Sequence, residues 1–66
     1  MQIFLNGESK TTTEALTVHQ LLEQLGLAGT RVAVEVNREI VPRSHHGQHR
    51  LKPDDRVEVV RAIGGG

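Results

Sequence analysis

The sequence predicts an α+β domain: a mixed, four- to five-stranded sheet, one helix packed across it, and a flexible glycine tail at the C-terminus. Three observations predict it. Apolar and polar residues alternate with period two in segments 1–6, 31–37 and 56–63, the repeat of a strand with one buried face. Between them, Val18, Leu21, Leu22 and Leu25 recur at i, i+3, i+4 and i+7, the stripe of an amphipathic helix. The chain then closes on Gly64-Gly65-Gly66, which has no side chain to pack.

The elements follow in order. Met1, Ile3 and Leu5 share one face of the first strand, with Gln2, Phe4 and Asn6 on the other. Asn6-Gly7 is a strong hairpin signal, because a type I′ turn needs positive φ at both central residues. Thr-rich Ser9 to Thr13 is the returning strand, read as an edge. Thr17 with Gln20 three residues on forms a capping box at the helix start, and Gly26 suits the left-handed residue that ends it. Arg31 to Asn37 is a strand with Val32, Val34 and Val36 inward. Ile40-Val41 is a short strand stopped by Pro42. A polar loop, Arg43 to Arg50, leads to Leu51 as an isolated core anchor. Lys52-Pro53-Asp54-Asp55 is a turn, and Arg56 to Ile63 is the last strand, with Val57 and Val59 inward and Glu58 and Val60 outward. Neither the first nor the last strand reads as an edge, so the simplest packing sets them side by side in the centre, with the helix across the inner face. That is a β-grasp topology, with residues 1–63 as the domain and 64–66 as the tail.

Composition narrows the function. The 66 residues carry eight Lys+Arg, eight Asp+Glu, four His and no Cys. A chain this short buries only about 60% of its unfolded surface, which leaves little room for an enzyme cleft. Zero cysteines exclude disulfides, thiolate metal sites and a cysteine nucleophile. A net charge of zero with scattered basic residues argues against nucleic acid and anionic membranes as partners. No apolar run approaches the roughly 20 residues of a membrane span, and no signal core follows the N-terminus, so a cytoplasmic protein is expected.

Three features could carry chemistry. Threaded into a partner's narrow tunnel, the three terminal glycines would reach about 10 Å and present the Gly66 carboxylate to its active site. That carboxylate could attack the α-phosphate of ATP, and the acyl-adenylate so formed is open to a sulfur nucleophile. A frayed terminus on an ordinary small binding domain is the competing reading. Second, His45, His46 and His49 have spacings that a helical turn could turn toward a metal. Gly47 and the polar surroundings speak against such a site, and no metal is expected. Third, outward-facing Phe4 and Val60 are expected to form one apolar patch, which with Ile63 would dock a partner.

With these segments in view, the chain resembles the bacterial ThiS family, the sulfur carriers of thiamine biosynthesis. The resemblance covers the whole chain. It rests on Met1-Gln2-Ile3 with Asn6-Gly7, Thr17-Val18 leading Leu21-Leu22, the run from Val32 to Ser44, and Arg56-Val57-Glu58-Val59-Val60 ending in the glycines. The opening Met1-Gln2-Ile3-Phe4 is also similar to ubiquitin's. The Ile40-Val41-Pro42-Arg43 segment and the short length favour the thiamine branch over the molybdopterin-synthase small subunit. The resemblance implies that a ThiF-type adenylyltransferase, using ATP and Mg, adenylates Gly66, that sulfur originating from a cysteine desulfurase converts it to a thiocarboxylate, and that thiazole synthase takes the sulfur. The carrier is then a protein co-substrate with no catalytic side chains and no cofactor of its own. Gly65 and Gly66 match the family's terminal pair, and Gly64 extends it. Two departures stand out. The family often has Gly where this chain has Arg38, which suggests a different turn there. It usually has Gly where this chain has Asp54, a residue that tolerates positive φ. A sulfur carrier for another pathway, a ubiquitin-like modifier and a β-grasp binding module without terminal chemistry remain as rivals.

Overall fold

The chain's two longest-range partners are its first and last strands. The computed structural model describes residues 1–61. In it the strands β1 (Gln2–Leu5), β2 (Glu8–Thr11), β3 (Val32–Val36), β4 (Glu39–Val41) and β5 (Arg56–Arg61) form one sheet in the order β2-β1-β5-β3-β4. β1 and β5 are parallel, and the other neighbouring pairs are antiparallel. The central placement of β1 and β5 is as the alternation predicts, and β2 is an edge.

The helix α1 (Val18–Gln24) starts where the capping box places it. The Thr17 side chain accepts the Gln20 N–H at 3.1 Å, and the Gln20 side chain accepts the Thr17 N–H at 2.9 Å. At the other end Gly26 has φ +72, with its N–H on the Glu23 carbonyl and the Leu27 N–H on that of Leu22. This is a Schellman ending, which only a residue free to adopt left-handed geometry completes without strain. The helix buries Val18, Leu21 and Leu22 against Ile3 of β1, Val34 and Val36 of β3 and Val57 of β5. Leu16, Val41 and Leu51 close the core, and Leu51 is the isolated anchor that its polar flanks suggest. Leu51 reaches the core because its N–H bonds the Leu16 carbonyl at 2.8 Å, which ties the chain to the segment entering the helix.

Among the described residues, four turns place non-glycine residues at positive φ: Asn6 (φ 49) between β1 and β2, Ala15 (φ 56) ahead of α1, the Asn37-Arg38 pair, and Asp54. Asp54 (φ 68) does so between Lys52 and Asp55, where the Asp55 N–H donates to the Lys52 carbonyl at 3.1 Å and closes the turn. Between β3 and β4, Asn37 has φ 52 and Arg38 has φ 69. The expectation of a different turn at Arg38 is therefore corrected. Two consecutive left-handed residues are the type I′ geometry that a glycine would serve, and the arginine adopts it at a steric cost. Asn37 explains why the turn is not abandoned. Its Oδ1 accepts the Arg56 N–H at 3.0 Å and its Nδ2 donates to Asp55 Oδ1 at 3.0 Å, so the left-handed turn fixes the start of β5.

Replacing Arg38 with Gly removes a Cβ clash worth about 1–2 kcal/mol and adds back part of it as chain entropy. The expected net gain is about 0.5–1 kcal/mol, seen by circular dichroism as a melting temperature raised by roughly 2–8 °C. Arg38→Val should move it the other way, and no change in either variant would show that the turn carries no strain.

Candidate functional site

β5 is the strand that leads toward the C-terminal glycines, so the site is built from what holds and surrounds it. On one side β3 pairs with its whole length, from Val36↔Val57 to Val32↔Arg61. On the other side β1 pairs only at Phe4↔Arg56 and Leu5↔Val57. There the Asn6 turn takes the chain away, and the Asn6 side chain supplies the next contact, accepting the Val59 N–H at 2.9 Å. Val57 is buried and Val59 half-buried beneath the sheet, while Glu58 and Val60 face outward. Ile63, Gly64, Gly65 and Gly66 lie outside the described residues.

The open face of the sheet corrects one expectation. Phe4 and Val60 do lie on the same face, but they do not form one exposed patch. Phe4 is half-buried, with the Arg56 guanidinium 5.9 Å from its ring centroid, a cation–π contact that covers the ring. Glu58 then separates Arg56 from Val60 along β5. The parallel register puts Phe4 opposite Arg56, four residues short of Val60, and the alternation of outward residues makes the rest. The apolar surface that is exposed belongs to Val60, at 60%, and to Ile40, at 73%. Ile40 sits on β4 opposite Glu35, and Glu35 is opposite Glu58. Reading Ile40-Val41 as one apolar piece missed this, although the alternation alone sends Ile40 outward once Val41 is assigned to the core.

The histidine loop does structural work. A short 3-10 helix, Arg43–His45, continues into a turn closed by the His49 N–H on the His45 carbonyl at 2.9 Å. The Val18 N–H bonds the His49 carbonyl at 3.0 Å and the His19 N–H bonds that of His46 at 2.9 Å. With Thr17 serving Gln20, the first three N–H groups of α1 are satisfied, two of them by this loop. Helix starts leave such donors without partners of their own. His46 is 6% exposed, and its Nε2 lies 3.0 Å from the Val41 carbonyl oxygen, which fixes the loop on β4. His45 and His49 line a groove of about 340 Å³ with Glu39, Arg50 and Asp55. His46 does not join them. Among the described residues no group of three His, Cys, Asp or Glu side chains is placed to hold a metal ion. Nor is any helix there long and apolar enough to cross a membrane.

A profile of the ThiS family matches residues 3–66. The chain belongs to the ThiS family. The Sulfur carrier protein ThiS of Escherichia coli is 36% identical to it over 66 residues, the whole of both chains. The crystal structure of the thiamine biosynthesis protein ThiS from Geobacter metallireducens has a TM-score of 0.86 at 35% identity, covering 100% of each chain. A thiazole synthase of Paramagnetospirillum magneticum is 42% identical over 66 residues, but these make up only 20% of that relative. A ThiS-like segment thus occurs inside a much longer thiazole synthase chain. The sheet order and single helix described above are the family's β-grasp fold.

His46→Ala should lower stability by about 2–3 kcal/mol, through the void it leaves and the orphaned Val41 carbonyl. His45→Ala and His49→Ala should stay within about 0.5 kcal/mol, as surface changes do. Urea denaturation of the three variants checks this, and equal losses in all three would overturn the assignment of His46 alone to the core.

Proposed function

We propose that this chain is a sulfur carrier protein of thiamine biosynthesis whose reactive group is its own C-terminal carboxylate. The observation that carries the reading is the match to a sulfur carrier over the full length of both chains. The described structure agrees with it: a central strand, paired throughout on one side, delivers the chain toward Gly64-Gly65-Gly66. With no cysteine in the sequence, sulfur has no thiol to ride on. It must be carried on a carbonyl, and the chain's own terminus supplies one.

The chemistry runs in three steps. A carboxylate oxygen of Gly66 attacks the α-phosphorus of ATP in a ThiF-type adenylyltransferase, and pyrophosphate leaves. A persulfide whose outer sulfur comes from a cysteine desulfurase attacks the activated carbonyl and AMP leaves, giving an acyl disulfide; a second thiol then attacks the donor's sulfur and breaks the S–S bond, leaving the thiocarboxylate and a disulfide on the donor. Thiazole synthase then takes the sulfur. The glycines at 64 and 65 let the terminus pass where any Cβ would collide with the enzyme. ATP and Mg belong to the adenylating enzyme, and the carrier acts as co-substrate in the cytoplasm. The open face docks the partner, with Val60 as the exposed apolar contact and Phe4 supporting it through Arg56; Ile63, three residues on in the sequence, is the further docking residue.

Intact-mass measurement after incubation with ATP, the adenylating enzyme and a sulfur source tests the carrier reading. One terminal oxygen should be replaced by sulfur, and deletion of Gly66 should abolish the change. An unmodified terminus, or one joined to a lysine, would sink it. Val60→Asp should raise KM for adenylation by roughly tenfold, the loss of about 1.4 kcal/mol of binding, with the melting temperature nearly unchanged. Phe4→Ala should weaken both adenylation and folding, because its ring is half-buried. Unchanged adenylation kinetics in both variants would remove this face from the mechanism.

A further inference from the structure

Asn6-Gly7 makes the β1–β2 turn, but the turn does not require what the Asn6 side chain does. The backbone of β1 bonds that of β5 through the Phe4 N–H to the Asp55 carbonyl at 2.9 Å and the Asn6 N–H to the Val57 carbonyl at 2.8 Å. One step further along β5, the main chain of β1 has turned away, with Asn6 at φ 49 and Gly7 at φ 84. The Asn6 carboxamide stands in its place. Its Oδ1 accepts the Val59 N–H at 2.9 Å, and its Nδ2 donates to the Val59 carbonyl at 3.4 Å. A side-chain amide has the donor and acceptor of a peptide group, so it extends the ladder by one residue and latches β5 next to its exit.

We propose that Asn6 is a deamidation site and that its conversion opens this latch. An asparagine followed by glycine is suited to the reaction, because no Cβ hinders the attacking nitrogen. The Gly7 nitrogen attacks Asn6 Cγ, the N–Cγ bond forms, the Cγ–Nδ2 bond breaks, and ammonia leaves with the proton from Gly7. Water then opens the succinimide at one carbonyl or the other, giving aspartate or isoaspartate. In the aspartate product the donor to the Val59 carbonyl is gone and two acceptors face each other, an unfavourable exchange at a point on β5 where the main chain of β1 has already turned away. In the isoaspartate product an extra methylene enters the main chain of the turn and carries the side chain off Val59. The native contacts also protect the site. Both amide atoms are held on Val59, so the side-chain rotation that lets the Gly7 nitrogen attack Cγ requires the latch to open first.

The test ages the full-length chain in mildly alkaline buffer, folded and in urea, and follows position 6 by peptide mass mapping and isoaspartyl methyltransferase labelling. Conversion is expected in both, slower in the folded chain by about tenfold or more, as for any reaction gated by local opening. The aged species, separated by its added negative charge, should exchange the Val59 amide proton at least about tenfold faster, with the Leu21 and Val34 amides still protected. Asn6→Asp should reproduce that exchange pattern, and if this variant does not fold, the aged wild-type chain still gives the answer. No conversion in urea, equal rates in the two states, or unchanged exchange at Val59 would each overturn the proposal. If the chain is the carrier proposed above, the aged form should also load sulfur less well; the exchange measurement needs no partner and stands or falls without that reading.

Discussion

The parallel contact between β1 and β5 is the constraint on which the rest of the structure depends. It joins residues more than fifty positions apart through two registered pairs, Phe4↔Arg56 and Leu5↔Val57. Every other strand pairing is antiparallel, and both hairpins fold locally. Closing so long a loop costs entropy that two pairs alone repay poorly. The asparagines at 6 and 37 reinforce β5 from opposite sides, each with a side-chain oxygen that accepts a backbone N–H of β5, from Val59 and from Arg56. Both occupy left-handed turns, where asparagine is the non-glycine residue best suited to the geometry. Once β5 is pinned, Val57 completes the floor on which α1 rests.

Most of the architecture was legible because each element carries its own local signal. The capping box at Thr17 and Gln20, the Schellman glycine at Gly26 and the alternating valines of β3 all depend on near neighbours. What was not legible depends on register. The outward phase of Phe4 follows from alternation, but its cover by Arg56 needs the offset between two distant parallel strands, which no local pattern encodes. The exposure of Ile40 was hidden by its apolar neighbour Val41. Arg38 shows the limit of reasoning from residue preference. Side-chain sterics argue against the turn, yet Asn37 gains two hydrogen bonds by keeping it, and the tertiary gain outweighs the local cost. The terminal glycines and Ile63 lie outside the described residues, so their part in the site rests on the sequence.

The histidine-rich loop illustrates how a polar cluster can be mistaken for chemistry. Its imidazoles invite a metal, but its carbonyls are what the fold uses, since they satisfy Val18 and His19 at the start of α1. The one buried ring, His46, serves the same end by holding the loop to Val41. A helix of seven residues gains little from propensity alone. Completing its first turn from a distant segment is therefore a larger share of its stability than it would be in a longer helix.

Because β1 and β5 run in the same direction, the chain enters and leaves the domain at opposite poles. Met1 lies at the pole of Asp54 and Thr12, where the Thr12 N–H bonds the Met1 carbonyl and the Asp54 N–H that of Gln2. Six residues of β5 separate that pole from Arg61, roughly 20 Å of strand. A polypeptide tethered ahead of Met1 would thus be held a domain's length from the outgoing end. It would have to replace the ion pair between the terminal amine and Glu14, but it would not crowd the exit. An antiparallel central pair would have put leash and cargo on the same side.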